Sequence, residues 1–250
     1  MSSEYTQIWT SKFSSLGRSR YHEKFFKRFE KNIKHRELIA FIEKFRDPNK
    51  TWCDFPIGPG RLFETINPKK SLTFGFDISD EFLAYNRSNG WNCTKKDITS
   101  FDLNQKFDLI TTTNTLFAFT EKEEIMRNLV SHLVPGGVFI TDLNNKDHLL
   151  LSEKECGKYS HDYGYRLDEI PALASRLGCE VLEISYHDCY DNRYVQHILE
   201  RYKNSRWFSW IYRYFNKLYF KLDLYIAFEF FKPKDKSKYI KYLVAFKKIS

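Results

Sequence analysis

The feature that most constrains the fold of this chain is a loop with two glycines that separates an apolar run from a helical pattern. The run begins at Trp52 and ends at Asp54, and Gly58 and Gly60 lie in the loop that follows. Glycine carries no side chain, so a ligand can lie directly against the backbone, facing the N–H groups of the next helix. A strand, a glycine turn and a helix in this order are typical of domains that bind nucleotides.

A second acid stands at the spacing that such domains use. The apolar run Leu72–Phe76 ends at Asp77, which is 19 residues after Gly58. In doubly wound nucleotide-binding folds, an acid about 20 residues beyond the glycines accepts the ribose hydroxyls. Asp77 is therefore predicted to face the same ligand as the glycine loop.

The glycine loop and its flanks resemble a known sequence motif. Residues 54–61 read Asp-Phe-Pro-Ile-Gly-Pro-Gly-Arg, which is similar to the first motif of class I S-adenosylmethionine (SAM)-dependent methyltransferases, usually acid-x-Gly-x-Gly-x-Gly. Gly58 and Gly60 match the second and third glycines, and Pro56 stands at the position of the first. A second similarity is the Pro-Gly-Gly at 135–137, which precedes an apolar strand. The resemblance covers residues 21–181 and the last strand.

The resemblance implies that SAM is the cofactor, and it assigns roles to three acids at strand ends. Asp54 would orient the ammonium of the amino-acid end, directly or through water. Asp77 would accept both ribose hydroxyls, and Asp97 would take the exocyclic amine of adenine. Methyl transfer from an activated sulfonium mainly requires that donor and acceptor be oriented and desolvated. A complete binding site therefore predicts the reaction better than any single catalytic residue.

Further contacts complete the cofactor site that the resemblance implies. Ile78 would lie against the adenine, Ile98 would supply a backbone donor, and Asn114 would line the methionine portion. The glycines would let the backbone approach the amino-acid end. The residues assigned to the cofactor in this way are Asp54, Pro56, Gly58, Gly60, Arg61, Asp77, Ile78, Asp97, Ile98 and Asn114.

A dinucleotide-dependent dehydrogenase is the nearest alternative among nucleotide-binding folds. Its fingerprint Gly-x-Gly-x-x-Gly, started at Gly58, requires a third glycine where this chain has Phe63. A side chain there would obstruct the close approach of helix and strand at a pyrophosphate site. SAM contains no pyrophosphate, so this departure favours the methyltransferase.

The apolar runs along the chain predict an α/β fold with a doubly wound sheet of seven strands. The resemblance adds that the sheet is mostly parallel and that its last strand is antiparallel. Strands are predicted at 51–55, 72–76, 91–94, 107–112, 138–143, 179–187 and 239–247, and helices within 21–45 and at 61–66, 80–87, 121–133 and 167–177. We predict four regions: an N-terminal helical lead-in (1–50), a SAM-binding Rossmann-like core (51–189), a helical insertion (190–236) and the final core strand (237–250).

The predicted insertion is rich in basic and aromatic residues. Thirteen aromatic residues stand between Tyr202 and Phe231, and Arg213, Lys217 and Lys221 share one face of a predicted helix. The net charge is +6 in residues 1–50 and +10 in residues 193–250, whereas the region between them carries −8. The sequence leaves open whether segment 202–231 packs on its own domain, on a second subunit of a homodimer or on a membrane surface. A nucleic acid is the least favoured partner.

Composition argues against several other classes of protein. The chain has no run of 18 apolar residues, and its N-terminus lacks the apolar core of a signal peptide. The five cysteines are odd in number and include no Cys-x-x-Cys pair, so neither a disulfide framework nor a zinc site is predicted. We expect a cytoplasmic protein without a metal centre, peripheral to the inner face of the membrane if the insertion binds lipid.

The sequence does not identify a general base, which hydroxyl acceptors often need. The candidates are His22, His148, His161, Asp142 and Tyr163.

The residues after the fourth predicted strand bear on the methyl acceptor. They read Asn114-Thr-Leu-Phe rather than the Asn-Pro-Pro-Tyr type of element associated with methylation of amino groups on planar bases or amides. We therefore predict an oxygen acceptor on a small molecule or on a sugar of a bacterial surface glycan. The alternatives are an RNA methyltransferase, for which the basic ends would be the binding surface, and a non-catalytic module that keeps the fold.

Overall fold

The computed structural model describes residues 33–147, 164–187 and 239–250 of the 250-residue chain, in which helices and strands alternate. The helices are α1 (Ile33–Phe45), α2 (Arg61–Ile66), α3 (Asp80–Ser88), α4 (Lys122–Ser131) and α5 (Ile170–Arg176). The strands are β1 (Trp52–Asp54), β2 (Thr73–Asp77), β3 (Asn92–Lys95), β4 (Phe107–Thr112), β5 (Leu133–Asn144), β6 (Cys179–His187) and β7 (Lys241–Lys248).

The seven strands form one sheet in the order β3-β2-β1-β4-β5-β7-β6. Strands β1 to β5 are parallel, and β7 runs antiparallel to both of its neighbours, β5 and β6. This confirms the predicted α/β fold with a mostly parallel sheet and an antiparallel last strand. The strand order reverses between β1 and β4, and ligands of open α/β sheets bind beyond the carboxyl ends of the strands at such a point.

Both faces of the sheet are buried beneath helices. On one face Ile42 of α1, Phe63 of α2 and Leu83 of α3 are fully buried in one apolar cluster. On the other face Met126 of α4 and Leu173 of α5 are fully buried in a second cluster. Each such side chain contributes about 1.5–3 kcal/mol through its removal from water. The sheet therefore has two cores, which hold the carboxyl ends of the strands in fixed relative positions.

The predicted Pro-Gly-Gly turn lies inside β5 rather than before it. β5 begins at Leu133, five residues earlier than predicted, because Leu133 pairs with Phe107 and Val138 pairs with Leu109. The four residues between these pairs form a bulge opposite a single residue of β4. A Cβ atom on Gly137 would lie 2.9–3.1 Å from three backbone carbonyl oxygens. The glycine is therefore required by the packing of the bulge.

His132, which follows α4, is part of the core. Its Nε2 atom accepts a hydrogen bond of 2.9 Å from the backbone N–H of Leu103. Burial and the nearby Lys106 lower the pKa of His132. The neutral ring has the lone pair that the Leu103 N–H group requires, so a structural role accounts for this histidine.

Several predictions lie outside the described residues. They are the N-terminal part of the helical lead-in, the loop from 148 to 163 and the insertion at 190–236 with its basic aromatic segment 202–231. In the described part of the chain, no helix has the length and apolarity needed to cross a bilayer.

Candidate functional site

Four polar residues stand in a row along the carboxyl edge of the sheet. Asp77 ends β2 and Asp54 ends β1, while Asp97 follows β3 and Asn114 follows β4. Because these strands are neighbours in the order β3-β2-β1-β4, the row runs Asp97, Asp77, Asp54, Asn114. Neighbouring strands lie about 4.8 Å apart, so the four strand ends span about 14 Å. An extended ligand along this edge would meet the four residues in that order.

A cavity of about 310 Å³ opens along this row. Nine of the ten residues assigned to the cofactor line it, and Gly60 alone among the ten does not. Apolar side chains from Leu38 of α1, Phe82 of α3 and the loop at 117–119 complete its walls. The residues that line the cavity from the predicted set are Asp54, Pro56, Gly58, Arg61, Asp77, Ile78, Asp97, Ile98 and Asn114.

Asp77 holds the glycine loop against the start of α3. Its Oδ2 atom accepts a hydrogen bond of 2.8 Å from the N–H of Gly58, and its Oδ1 atom accepts one of 2.8 Å from the N–H of Ser79. Each carboxylate oxygen can accept a second bond. Asp77 is thus able to receive two ligand hydroxyls without giving up its hold on the loop.

Asn86 of α3 supports the same loop from below. It is fully buried, and its Nδ2 atom donates to the carbonyl oxygens of Gly58 at 2.9 Å and Phe82 at 2.8 Å. Gly60 has a φ of +74°, and a Cβ atom built on it would lie 1.9 Å from Oδ1 of Asn86. Gly60 is therefore required by the contact between loop and helix, and not by contact with the cavity.

The carboxyl group of Asp54 is buried at the centre of the row. Its Oδ1 atom accepts a hydrogen bond of 2.6 Å from Oγ1 of Thr111, which in turn accepts one from Nε1 of Trp52. Burial raises the pKa of Asp54 to about 7, opposed by the Thr111 hydrogen bond and aided by the negative charge of Asp77. Burial likewise raises the pKa of Asp77 to about 6, and backbone hydrogen bonds oppose that rise.

These raised pKa values predict opposite pH trends for stability and for ligand binding. Without ligand, the folded protein holds more protons on Asp54 and Asp77 than the unfolded chain between about pH 4 and pH 7. Stability without ligand should therefore fall as the pH rises through this window. An ammonium group beside Asp54 would favour the ionised carboxylate, so the affinity for a cationic ligand should rise over the same range.

We expect S-adenosylhomocysteine (SAH), the demethylated form of SAM, to bind about tenfold more tightly at pH 8 than at pH 6, since one pKa unit corresponds to a tenfold change. Isothermal titration calorimetry at both pH values measures this ratio. The variant Asp54→Asn should lose most of the dependence and keep only the smaller part due to Asp77. A wild-type affinity that does not change with pH would contradict the assignment of Asp54 to the ammonium.

Asp97 lies half-buried at the β3 end of the row. Its Oδ1 atom accepts hydrogen bonds from the N–H and the hydroxyl of Thr99, at 2.9 and 2.8 Å. These bonds hold the acid in a tight turn beside the buried Ile98, and both residues line the cavity. The position fits the adenine contact that the resemblance implies, which stays a prediction.

Asp142 is the only candidate base within the described residues, and it does not line the cavity. Its Oδ1 atom accepts a hydrogen bond of 2.6 Å from the N–H of Asn114, and its Oδ2 atom forms an ion pair with Lys241. Both oxygens are thus engaged. The other candidates, His22, His148, His161 and Tyr163, lie outside the described residues.

Some cavity and support residues were not predicted from the sequence. Asn86 donates a hydrogen bond to Gly58, and Thr111 donates one to Asp54. Leu38 and Phe117 form part of the apolar wall of the cavity. Phe82 and Leu83 define the apolar face of α3, and Asn86 lies on that same face. A polar residue there was a signal that could have identified Asn86 as a support residue. Within 33–147, 164–187 and 239–250, no three His, Cys, Asp or Glu side chains cluster as they would around a metal ion.

The comparison with family models matches residues 54–139 to a methyltransferase domain. This segment runs from Asp54 into β5 and contains the whole row along the carboxyl edge. A comparison with curated proteins found no match.

Solved structures show the same fold at low sequence identity. An S-adenosylmethionine-dependent methyltransferase from Clostridium acetobutylicum ATCC 824 has a TM-score of 0.56 and 18% identity, over 91% of this chain and 97% of that one. Magnesium protoporphyrin IX methyltransferase from Synechocystis PCC 6803, with bound SAH, has a TM-score of 0.55 and 11% identity, over 97% of this chain and 94% of that one. The N-methyltransferase NodS from Bradyrhizobium japonicum WM9, in complex with SAH, has a TM-score of 0.54 and 14% identity, over 89% of this chain and 91% of that one.

Proposed function

We infer that this chain, whose residues 54–139 match a methyltransferase domain, is a class I SAM-dependent methyltransferase that transfers a methyl group to an oxygen of a small molecule or of a sugar in a bacterial surface glycan. The family match and the fold support the methyltransferase and its cofactor. The choice of an oxygen acceptor and the roles of the single residues are our proposal.

The observation that carries the proposal is the pair of buried carboxyl groups at the cavity. Asp54 and Asp77 are 3% and 5% exposed, and in the described part of the chain neither forms an ion pair with a basic side chain. A buried carboxylate without a counter-charge is costly. SAM would place its positive ammonium beside Asp54 and would offer its two ribose hydroxyls as hydrogen-bond donors to Asp77. The residues present therefore fit this cofactor.

The residues of the chain would hold the cofactor along the row and leave one side of it open. Asp77 would accept the ribose hydroxyls, Asp54 would face the ammonium, and Asn114 would lie beside the methionine portion. When bound, SAM supplies an activated methyl group on positively charged sulfur. The apolar wall formed by Leu38 and Phe117 would exclude water from the cavity, which favours transfer to an acceptor held there.

The acceptor atom is proposed from the loop that follows β4. That loop continues from Asn114 into a 3-10 turn, Leu116–Ala118, and its aromatic residues in the cavity are Phe117 and Phe119, neither of which has a hydroxyl. The absence of an Asn-Pro-Pro-Tyr element there supports an oxygen acceptor. NodS, which has a similar fold, is an N-methyltransferase, so the fold alone does not select between oxygen and nitrogen acceptors. The experiment must therefore distinguish the two atoms.

The test uses SAM labelled with ¹³C in its methyl group and a matched pair of sugars, methyl glucoside and its 2-amino counterpart. Heteronuclear NMR separates O-methyl from N-methyl carbons by chemical shift. We expect a new O-methyl signal with either sugar and no N-methyl signal. An N-methyl signal from the amino sugar alone would overturn the oxygen assignment. A lack of product from both, with SAM bound, would exclude simple sugars as acceptors.

A further inference from the structure

Lys241 is nearly buried where β7 meets the end of β5. It pairs with Asn144 across the antiparallel strands, which places it diagonally opposite Asp142 on the same face of the sheet. The side chains of Lys241 and Asp142 are 12% and 5% exposed, and they form an ion pair. Most ion pairs at a protein surface contribute little to the stability of the fold. This pair is almost fully withdrawn from water, so its geometry is held firmly by its surroundings.

The ion pair contacts the loop that follows β4 at three points. Nζ of Lys241 donates to Oδ1 of Asn114 at 2.8 Å, and the backbone N–H of Asn114 donates to Asp142 at 2.6 Å. The same Nζ atom lies 5.2 Å from the ring centroid of Phe117, within the range of a cation–π contact. Asn114 itself has a φ of +53°, a left-handed conformation that asparagine adopts more readily than most residues.

Asn114 and Phe117 line the cavity, whereas Lys241 and Asp142 do not. The ion pair therefore lies behind one wall of the cavity and fixes both the backbone and the side chains of that wall. We propose that Lys241 is a positioning residue for methyl transfer, which together with Asp142 holds the wall facing the amino-acid half of SAM. This inference rests on the proposed function.

The position of this wall along the row predicts which half of the cofactor it serves. Asn114 follows β4, next to Asp54 on β1 and at the opposite end of the row from Asp97. Asp77 ends β2 and Asp97 follows β3, and neither of these strands is a hydrogen-bonded neighbour of β7 in the sheet. Loss of Lys241 should therefore weaken contacts to the amino-acid half and leave the adenosine half unchanged.

The test compares two nucleosides that differ only at the amino-acid end. SAH carries that end, whereas 5′-methylthioadenosine ends in a methyl group at the sulfur. We expect Lys241→Met in the full chain to weaken SAH binding about tenfold in calorimetry and to change 5′-methylthioadenosine binding by less than twofold. A general loss of structure would weaken both nucleosides alike, so this split distinguishes positioning from mere stability.

Three further variants make the comparison sharp. Lys247 lies on the same strand, and its ion pair with Glu180 is about half exposed. Lys247→Met should therefore change the affinity for neither SAH nor 5′-methylthioadenosine. Lys241→Arg keeps the positive charge and should recover part of the SAH affinity. Lys241→Met leaves the buried carboxylate of Asp142 without its partner, and the double variant Asp142→Asn with Lys241→Met removes that charge. The double variant replaces the single variant in the test if the single variant does not fold.

The possible results separate the two proposals. Equal losses for both nucleosides, or no loss for either, would overturn the role of Lys241. A wild-type chain that binds neither nucleoside would contradict the proposed function itself, and the inference would fall with it.

Discussion

Asp77→Asn should weaken SAM binding about 100-fold. The change removes the charge that would accept the ribose hydroxyls, and it places an NH₂ group against one of two backbone N–H donors, those of Gly58 and Ser79. Two hydrogen bonds to a charged acceptor are worth about 1.5 kcal/mol each at the lower end of their range, and their sum corresponds to about two powers of ten in affinity. Isothermal titration calorimetry with SAM measures the loss.

Asp80→Asn is the matched control for this change. Asp80 lies three residues beyond Asp77 in the first turn of α3, its side chain is 77% exposed, and its partner is the exposed Lys95. The control should bind SAM like the wild type. If Asp77→Asn also bound SAM with unchanged affinity, Asp77 would not contact the ribose.

Gly60→Ala should destabilise the fold by about 3 kcal/mol. A left-handed backbone costs a residue with a side chain about 1–2 kcal/mol, and overpacking costs about 1–3 kcal/mol more. The new methyl group would lie 1.9 Å from Oδ1 of Asn86, so the buried amide must move and release Gly58. Urea denaturation, followed by circular dichroism, measures the free energy of unfolding.

Gly58→Ala offers a matched comparison within the same loop. Gly58 also has a positive φ, +53°, but no atom lies within 4 Å of a Cβ built there, and the residue lines the cavity. We expect this variant to lose about 1 kcal/mol from backbone strain and to bind SAM more weakly. Equal destabilisation by the two alanines would show that the contact with Asn86 is not important.

The contact between Gly60 and Asn86 can also be tested by a double-mutant cycle. Asn86→Ala alone removes the hydrogen bonds to Gly58 and Phe82 and should destabilise the fold. With alanine at 86, the clash with a methyl group at 60 no longer exists. The double variant should therefore be less destabilised than the sum of the two single changes.

The strand ends could be predicted from the sequence because they depend on local signals. Asp54 and Asp77 each close a short apolar run, and a glycine turn or a helix cap follows directly. Ser79, directly before the helical pattern at 80–87, is a typical N-cap residue, and its Oγ atom accepts a hydrogen bond of 3.4 Å from the N–H of Phe82. The strand order, by contrast, does not follow from local pattern, and the resemblance was needed to place the acids along one edge.

Other features depend on contacts between distant residues, which no local pattern reveals. Asn86 supports the loop only because α3 packs beneath it, and the partners Asp142 and Lys241 are separated by 99 residues. The early start of β5 had a related cause. Pro135 and Gly136 are typical turn residues, but pairing with β4 continues on both sides of them and makes the segment a bulge in a strand.

A crystal structure of the full chain with SAH bound tests the central claim most directly. The account predicts both ribose hydroxyls within hydrogen-bond distance of the Asp77 carboxylate, adenine beside Asp97 and the amino-acid end between Asp54 and Asn114. SAH bound elsewhere on the chain, or lying with its ribose away from Asp77, would contradict it.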